Sequence, residues 1–180
     1  FPGGYVLYER DFTNDNETII NNINHIQKLS KEISGLPLGL AVDEEGGTVN
    51  RISRQKRDKP FPSPQEIYNN SNISGILEID SEKRELLSKF GMNINLAPVA
   101  DISYNSSDYI YARTLGRGPE ETAEYINKDV QGYVNSVFSC CTKHFPGYGN
   151  NVNTHTDVAI DTRPYEKFPK EDFLPFEASI

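Results

Sequence analysis

The apolar positions of the chain follow two periods. Four short runs, residues 5–8, 36–42, 94–99 and 137–141, are almost continuously apolar, of strand length, and bounded by turn residues. Between them the spacing becomes helical. Ile19, Ile23, Ile26, Leu29 and Ile33 recur close to every third or fourth residue. Residues 13–16 offer N-cap chemistry, and Gly35 with Pro37 ends that helix. A second helix is expected from an Asp80-Ser81 cap to Phe90, where Gly91 stops it. A third opens at Gly118-Pro119-Glu120-Glu121, with proline early and acids in the first turn. Its apolar face would be Ala123, Ile126, Val130, Val134 and Val137. A further helix begins near Asp172. Residues 51–64, basic and punctuated by proline, read as a long surface loop, and residues 69–75 as a polar turn.

Strand, helix, strand in alternation, with strands apolar throughout, predicts an α/β fold of parallel βα units. The charged residues then collect where strands end: Asp43, at the head of an Asp-Glu-Glu-Gly-Gly turn that would display its carboxylates, then Asp101, then Lys143 and His144. Ligands bind at this face both in open parallel sheets and in (β/α)₈ barrels. Residues 137–157, VFSCCTKHFPGYGNNVNTHTD, go furthest. A strand delivers Lys143 and His144, a Phe-Pro-Gly-Tyr-Gly turn follows, and a polar loop carries a second histidine, His155. An isolated Lys-His pair is more often an ordinary strand exit, but three charged strand tips together favour a site. Four strands fall short of a barrel's eight, so the expectation is either a small open α/β domain or a partial barrel with two free sheet edges.

Composition narrows the partners. With 180 residues, 36% hydrophobic and 24% charged, the chain reads as one globular domain over residues 1–180. A net charge of −8 argues against nucleic acid, which would favour a basic face. No apolar run approaches the roughly 18 residues of a membrane span. The chain starts at Phe1 rather than Met, without a basic-led signal peptide, so processing or trimming is expected there. Cys140 and Cys141 make no disulfide framework and read as small strand residues pointing to opposite faces. No zinc-type Cys/His spacing, phosphate loop or dinucleotide glycine pattern occurs, so neither metal nor cofactor is expected.

Four motifs occur in order: Gly4-Tyr5-Val6-Leu7-Tyr8-Glu9-Arg10, Ala41-Val42-Asp43-Glu44-Glu45-Gly46-Gly47, Ala97-Pro98-Val99-Ala100-Asp101 and Lys143-His144-Phe145-Pro146-Gly147-Tyr148-Gly149. Together the chain resembles the N-terminal (β/α)₈ domain of glycoside hydrolase family 3, on its β-N-acetylhexosaminidase branch, over nearly its whole length. The resemblance implies a partial TIM barrel whose four strands match the second to the fifth. It implies that the strand tips grip a terminal N-acetylglucosamine, with Asp43, Arg51, Arg113, Lys143 and His144 at the sugar-contacting positions. The chemistry suits a polyhydroxylated ring, since carboxylates accept hydroxyl hydrogen bonds and Arg and Lys donate several. Without the resemblance, Arg51 and Arg113 would read as surface charge.

The family reaction is retaining hydrolysis, in which an aspartate attacks the anomeric carbon and a second group protonates the leaving oxygen. On this branch the acid/base resembles a loop histidine paired with an aspartate two residues earlier. Those positions are His155 and Asn153 here. A histidine, with an unperturbed pKa of about 6.5, can donate and then accept a proton. Asparagine can orient the ring but brings no charge, and the same Asp-to-Asn change costs serine proteases roughly 10⁴ in turnover. Asp157 is an alternative partner if the loop folds back. The family's nucleophile lies in a later Ser-Asp-Asp motif, and nothing after His155 matches it. The expectation is therefore a fragment, inactive alone, holding the sugar-gripping half of a glycosidase that removes terminal β-N-acetylglucosamine from peptidoglycan-type or related glycans. Its free sheet edges invite self-association. The alternative is a non-catalytic carbohydrate-binding or interaction protein on a decayed barrel. The resemblance leaves localisation open, with a secreted or cell-surface place slightly favoured over the cytoplasm.

Overall fold

The computed structural model describes residues 2–134 and 136–180. Along the chain run β1 (Gly4–Leu7), α1 (Asn16–Ser34), β2 (Gly39–Val42), a hairpin of β3 (Glu44–Gly46) and β4 (Val49–Asn50), α2 (Ser53–Lys56) and α3 (Pro64–Lys89). Then follow β5 (Ile94–Asn95), α4 (Pro119–Gln131), β6 (Ser139–Cys140) and α5 (Phe173–Glu177). The main sheet is parallel, in the order β1-β2-β5-β6, so each new strand joins beside the last. That winding, with helices between strands, is the parallel βα arrangement the apolar strands predict, and it makes the arc of the (β/α)₈ barrel that the resemblance implies. Gly4 pairs with Gly39, Ala41 with Ile94 and Ile94 with Ser139. Beyond the last two strands a parallel bridge from Val99 to Lys143 carries the pairing on to the charged tips.

Two apolar clusters hold the layers. The first joins Phe12, Ile19 and Ile23 to Leu38, Leu40 and Val42 of the β2 region and to Leu87, Phe90 and Met92. The second packs Ile67 and Ile76 of α3 against Ala100, Leu115, Tyr125, Ile126 and Phe176. Helix α1 begins and ends as its sequence signals: Asp15 accepts from the Thr18 amide at 2.9 Å, and Gly35 closes the helix at φ 77°. Its stripe buries Ile19 and Ile23, while Leu29 and Ile33 stay exposed.

The structure corrects four expectations. Residues 69–75 are helical on either side of a break at Asn72 (φ 54°, ψ −161°). They lie within α3, which starts at Pro64 under a Ser63 cap, and the turn expected there shrinks to that one residue. The Asn- and Ser-rich run is a poor helix former, but packing of Ile67 and Ile76 into the second cluster outweighs propensity. Residues 51–64 are not all surface loop, because they contain α2, and Ile52, Ser53 and Phe61 are buried. Helix α4 stops at Gln131, before Gly132, so Val134 and Val137 leave its apolar face and lie exposed. Thr122, Tyr125, Ile126 and Asp129 form its buried face instead. Finally, the regular strands within residues 94–99 and 137–141 shrink to two residues each, Ile94–Asn95 and Ser139–Cys140, with Val99 joined to Lys143 only by an isolated bridge.

Candidate active site

The Asp43-Glu44-Glu45 run leaves β2 and enters β3, so neighbouring side chains take opposite sides. Glu44 turns inward, against the expectation of a displayed carboxylate. It is fully buried and accepts from the backbone of Arg51 at 3.1 Å and Ile52 at 2.8 Å, and from the Ser53 hydroxyl, so its charge caps the first turn of α2. Glu45 turns to the strand tips. Asp43 stays at the mouth, about a fifth of its side chain exposed. Behind them Gly46 (φ 100°) makes the turn; a Cβ there would lie 2.3 Å from the Pro62 carbonyl oxygen.

Three acids and three bases meet at these tips. Lys143 Nζ lies 2.6 Å from Asp43 Oδ1 and 2.6 Å from Glu45 Oε1. Arg113, at the end of a short 3₁₀ turn (Tyr111–Arg113), grips both oxygens of Glu45, through Nε at 2.9 Å and Nη2 at 2.8 Å. The same Nη2 donates to His144 Nε2 at 3.0 Å. Because guanidinium can only donate, Nε2 accepts, and the His144 ring is neutral with its proton on Nδ1. That Nδ1 donates to Asp101 Oδ2 at 2.6 Å, and the other Asp101 oxygen accepts from the Tyr148 amide at 2.7 Å. The network Asp43–Lys143–Glu45–Arg113–His144–Asp101 is thus continuous across three strand ends. Burial works to raise the Glu45 carboxyl, but the Arg113 hydrogen bond and the charges of Lys143 and Arg113 hold it below the ordinary carboxylate range. For Arg113 burial works the other way and is outweighed by Glu45, which raises it further.

Asp43, Arg113, Lys143 and His144, drawn from distant parts of the sequence, are therefore brought together. Arg51 and His155 are not joined to them by any hydrogen bond among the described residues. Arg51 sits beside β1, its guanidinium 6.0 Å from the Tyr8 ring centroid and its Nε buried without a partner. His155 lies exposed on the loop after Gly149, where its Nδ1 meets Asn153 Oδ1 at 2.9 Å. Asp157 does not serve as its partner: that carboxylate accepts from the Val158 amide at 2.8 Å. The loop is fastened at its base. Arg163 donates to the Gly147 carbonyl at 2.8 Å and is held by Asp161 and Asp172. A separate polar cleft of about 320 Å³ opens between residues 102–108 and the Arg163 segment; none of the strand-tip side chains lines it. Among the described residues no group of three or more His, Cys, Asp or Glu side chains is placed to hold a metal ion.

Glu45 and Asp101 were not among the residues expected to touch substrate. Both carried a signal. Asp101 is one of the charged strand tips, and the alternation of a strand allows only one of Glu44 and Glu45 to face them.

Residues 3–180 match the family model of the glycosyl hydrolase family 3 N terminal domain. The chain belongs to this family. A β-hexosaminidase of Xylella fastidiosa strain M12 is 30% identical over 182 residues, which is 98% of the chain and 52% of that relative. The β-hexosaminidase A of Pseudoalteromonas piscicida is 28% identical and is covered over 30% of its length. The chain thus spans about half, or less, of these curated relatives. Among solved structures, a family 3 β-N-acetylglucosaminidase from Paenibacillus shares its fold at a TM-score of 0.88, over 99% of the chain and 34% of that structure, with 23% identity. NagZ from Neisseria gonorrhoeae in complex with N-trifluoroacetyl-D-glucosamine is 25% identical at a TM-score of 0.77, over 98% of the chain and 52% of that structure.

Proposed function

We propose that the chain is the sugar-gripping part of a retaining β-N-acetylglucosaminidase. The strand-tip network carries the reading: Asp43, Glu45 and Asp101 share Lys143, Arg113 and His144 at the face where (β/α)₈ proteins bind ligands. Its membership of family 3, with β-hexosaminidases among its relatives, supports the sugar as N-acetylglucosamine.

Asp43 has one oxygen committed to Lys143, leaving the other free to accept a sugar hydroxyl. Lys143 and Arg113 donate, and Glu45 between them keeps both cations from drifting. His144, oriented by Asp101, presents a ring edge to the same face, and Arg51 extends the grip at the β1 end. His155 acts as acid/base with Asn153 as its orienting partner, the loop closing over the sugar to bring the imidazole in. The mechanism requires an aspartate nucleophile that these 180 residues do not supply, so the chain by itself binds but does not hydrolyse. The exposed β1 residues Tyr5 and Val6, at the open end of the sheet, favour self-association of the isolated chain.

The test is release of nitrophenol from a nitrophenyl β-N-acetylglucosaminide by the full-length protein, compared with the corresponding glucoside. Turnover of the first only is expected; turnover of neither overturns the enzyme reading. Asn153 favours a second reading, a carbohydrate-binding protein without catalysis, because an amide cannot stabilise a charged imidazolium as a carboxylate does. Sugar binding without turnover would select it.

A further inference from the structure

Behind the strand tips lies a second ionic cluster that the sugar chemistry does not use. Lys83 and Asp80, on one face of α3, are 2% and 4% exposed and meet at 2.7 Å. Asp129 of α4, 3% exposed, lies against Asp80. Lys83 spends another donor on the backbone carbonyl of Glu45 at 2.9 Å. So an ammonium buried in the helix layer holds the strand whose side chain joins Arg113 to Lys143.

The charge count does not close with every group ionised. Within the buried cluster two carboxylates face one ammonium. The next cation, Arg84, is only half-buried and makes no ion pair with either acid among the described residues, so full ionisation leaves a net negative charge held out of water. The hydrogen bonds do not close either: Asp80 Oδ2 and Asp129 Oδ1 are both buried without a partner. Two ionised carboxylates can only accept, so neither can satisfy the other; one carboxylic acid and one carboxylate can.

We infer that Asp80 and Asp129 share one proton, leaving a single negative charge that Lys83 neutralises, and that Lys83 is thereby a positioning residue for Glu45. Burial drives Asp129 well above the ordinary carboxylate range, and the neighbouring Asp80 charge adds to it, against Lys83 and Arg84. The other groups facing the pair are Tyr125, Tyr133 and Cys140, with Glu45 beyond Tyr125. Burial raises both tyrosines and lifts the Cys140 thiol to about 11, so all three are neutral at pH 7 and none supplies a cation. Asp129 therefore acts as a donor, Asp80 as the shared acceptor, and Lys83 as the link that fixes the Glu45 backbone. The inference rests on the proposed sugar site only for the consequence in binding.

The experiment uses the 180-residue chain with ¹³C-labelled aspartate carboxyls and ¹⁵N-labelled arginine. The Asp129 carboxyl signal should show no titration step in the ordinary aspartate range near pH 3.9 and remain in its protonated position at pH 7. A normal step there overturns the shared proton. The Arg113 Nε–H signal reports on Glu45. Asp129→Asn, which imitates the neutral acid, should leave that signal in place; Lys83→Met should shift it. The same Lys83→Met change should weaken N-acetylglucosamine binding about tenfold. If Lys83→Met does not fold, Asp80→Asn replaces it and should shift the signal likewise. A folded variant of either kind with the Arg113 signal unmoved overturns the positioning role. If the parent chain does not bind N-acetylglucosamine, the sugar reading fails, while the carboxyl and Arg113 signals still decide the network.

Discussion

Replacing Glu45 with glutamine removes the charge on which the strand-tip network turns while keeping the side chain's shape. Glu45 is 3% exposed and accepts three close contacts, two from Arg113 at 2.8 and 2.9 Å and one from Lys143 at 2.6 Å. The amide retains one acceptor and turns an NH₂ toward a cation. Arg113 and Lys143, with side chains only 12% and 14% exposed, are left with Asp43 as the remaining carboxylate partner of either. Removing one partner of a buried ion pair typically costs 3–5 kcal/mol, and partial exposure of the two cations places this case at the lower end, about 3 kcal/mol. The acid side carries a second signature. The Glu45 carboxyl titrates below its ordinary value, so its stabilisation is complete above that value and is lost as pH falls through the lower folded one. Urea unfolding at pH 7 should show the midpoint lowered by that energy divided by the slope, with the slope itself unchanged. Repeated at falling pH, Glu45→Gln should lose stability less steeply than the parent below about pH 4.3. A variant equal to the parent at pH 7, or with the same acid limb, would refute the claim that this carboxylate is the hub.

Three further outcomes follow from single contacts. Gly46→Ala, at φ 100° with its new Cβ against the Pro62 carbonyl, should destabilise the chain by about 2 kcal/mol or more in the same urea assay. Asp161, held chiefly by its hydrogen bond from Arg163 and titrating at about 2, should move back toward the ordinary aspartate range in Arg163→Ala, read by carboxyl NMR. Asn153→Asp in the full-length protein should raise turnover of a nitrophenyl N-acetylglucosaminide and broaden its pH profile; no gain would remove Asn153 from the acid/base role.

Much of this was legible because periodicity is a local signal. The α1 stripe, its Asp15 cap and Gly35 stop, and the charged residues after each apolar run could all be read off neighbouring positions. What could not be read depends on distant partners. The polar run at residues 69–75 keeps helix on both sides of its break at Asn72 because Ile67 and Ile76 join one cluster with Leu115 and Tyr125, partners invisible to a window along the chain. Glu44 and Glu45 are adjacent and chemically equal. Only the pairing of β3 with β4, and the placing of α2, sends one to a helix start and the other to Arg113. Among the candidate site residues, Asp43, Lys143 and His144 converge because strand ends share one rim, and Arg113 reaches that rim from a short 3₁₀ turn. His155 and Arg51 depend on loop geometry, which sequence spacing does not set.

The Arg163 anchor has a bearing on how this protein can change over time. By fastening Asp161 and Asp172 to the Gly147 carbonyl, it closes the histidine-bearing arm on itself at the root. Length added to such an arm is cheap, since doubling a flexible loop costs only about 0.6 kcal/mol. Insertions or deletions between Gly149 and Asp161 can therefore lengthen or shorten the reach of the imidazole while the barrel beneath keeps its register. Loop length and scaffold are free to vary separately.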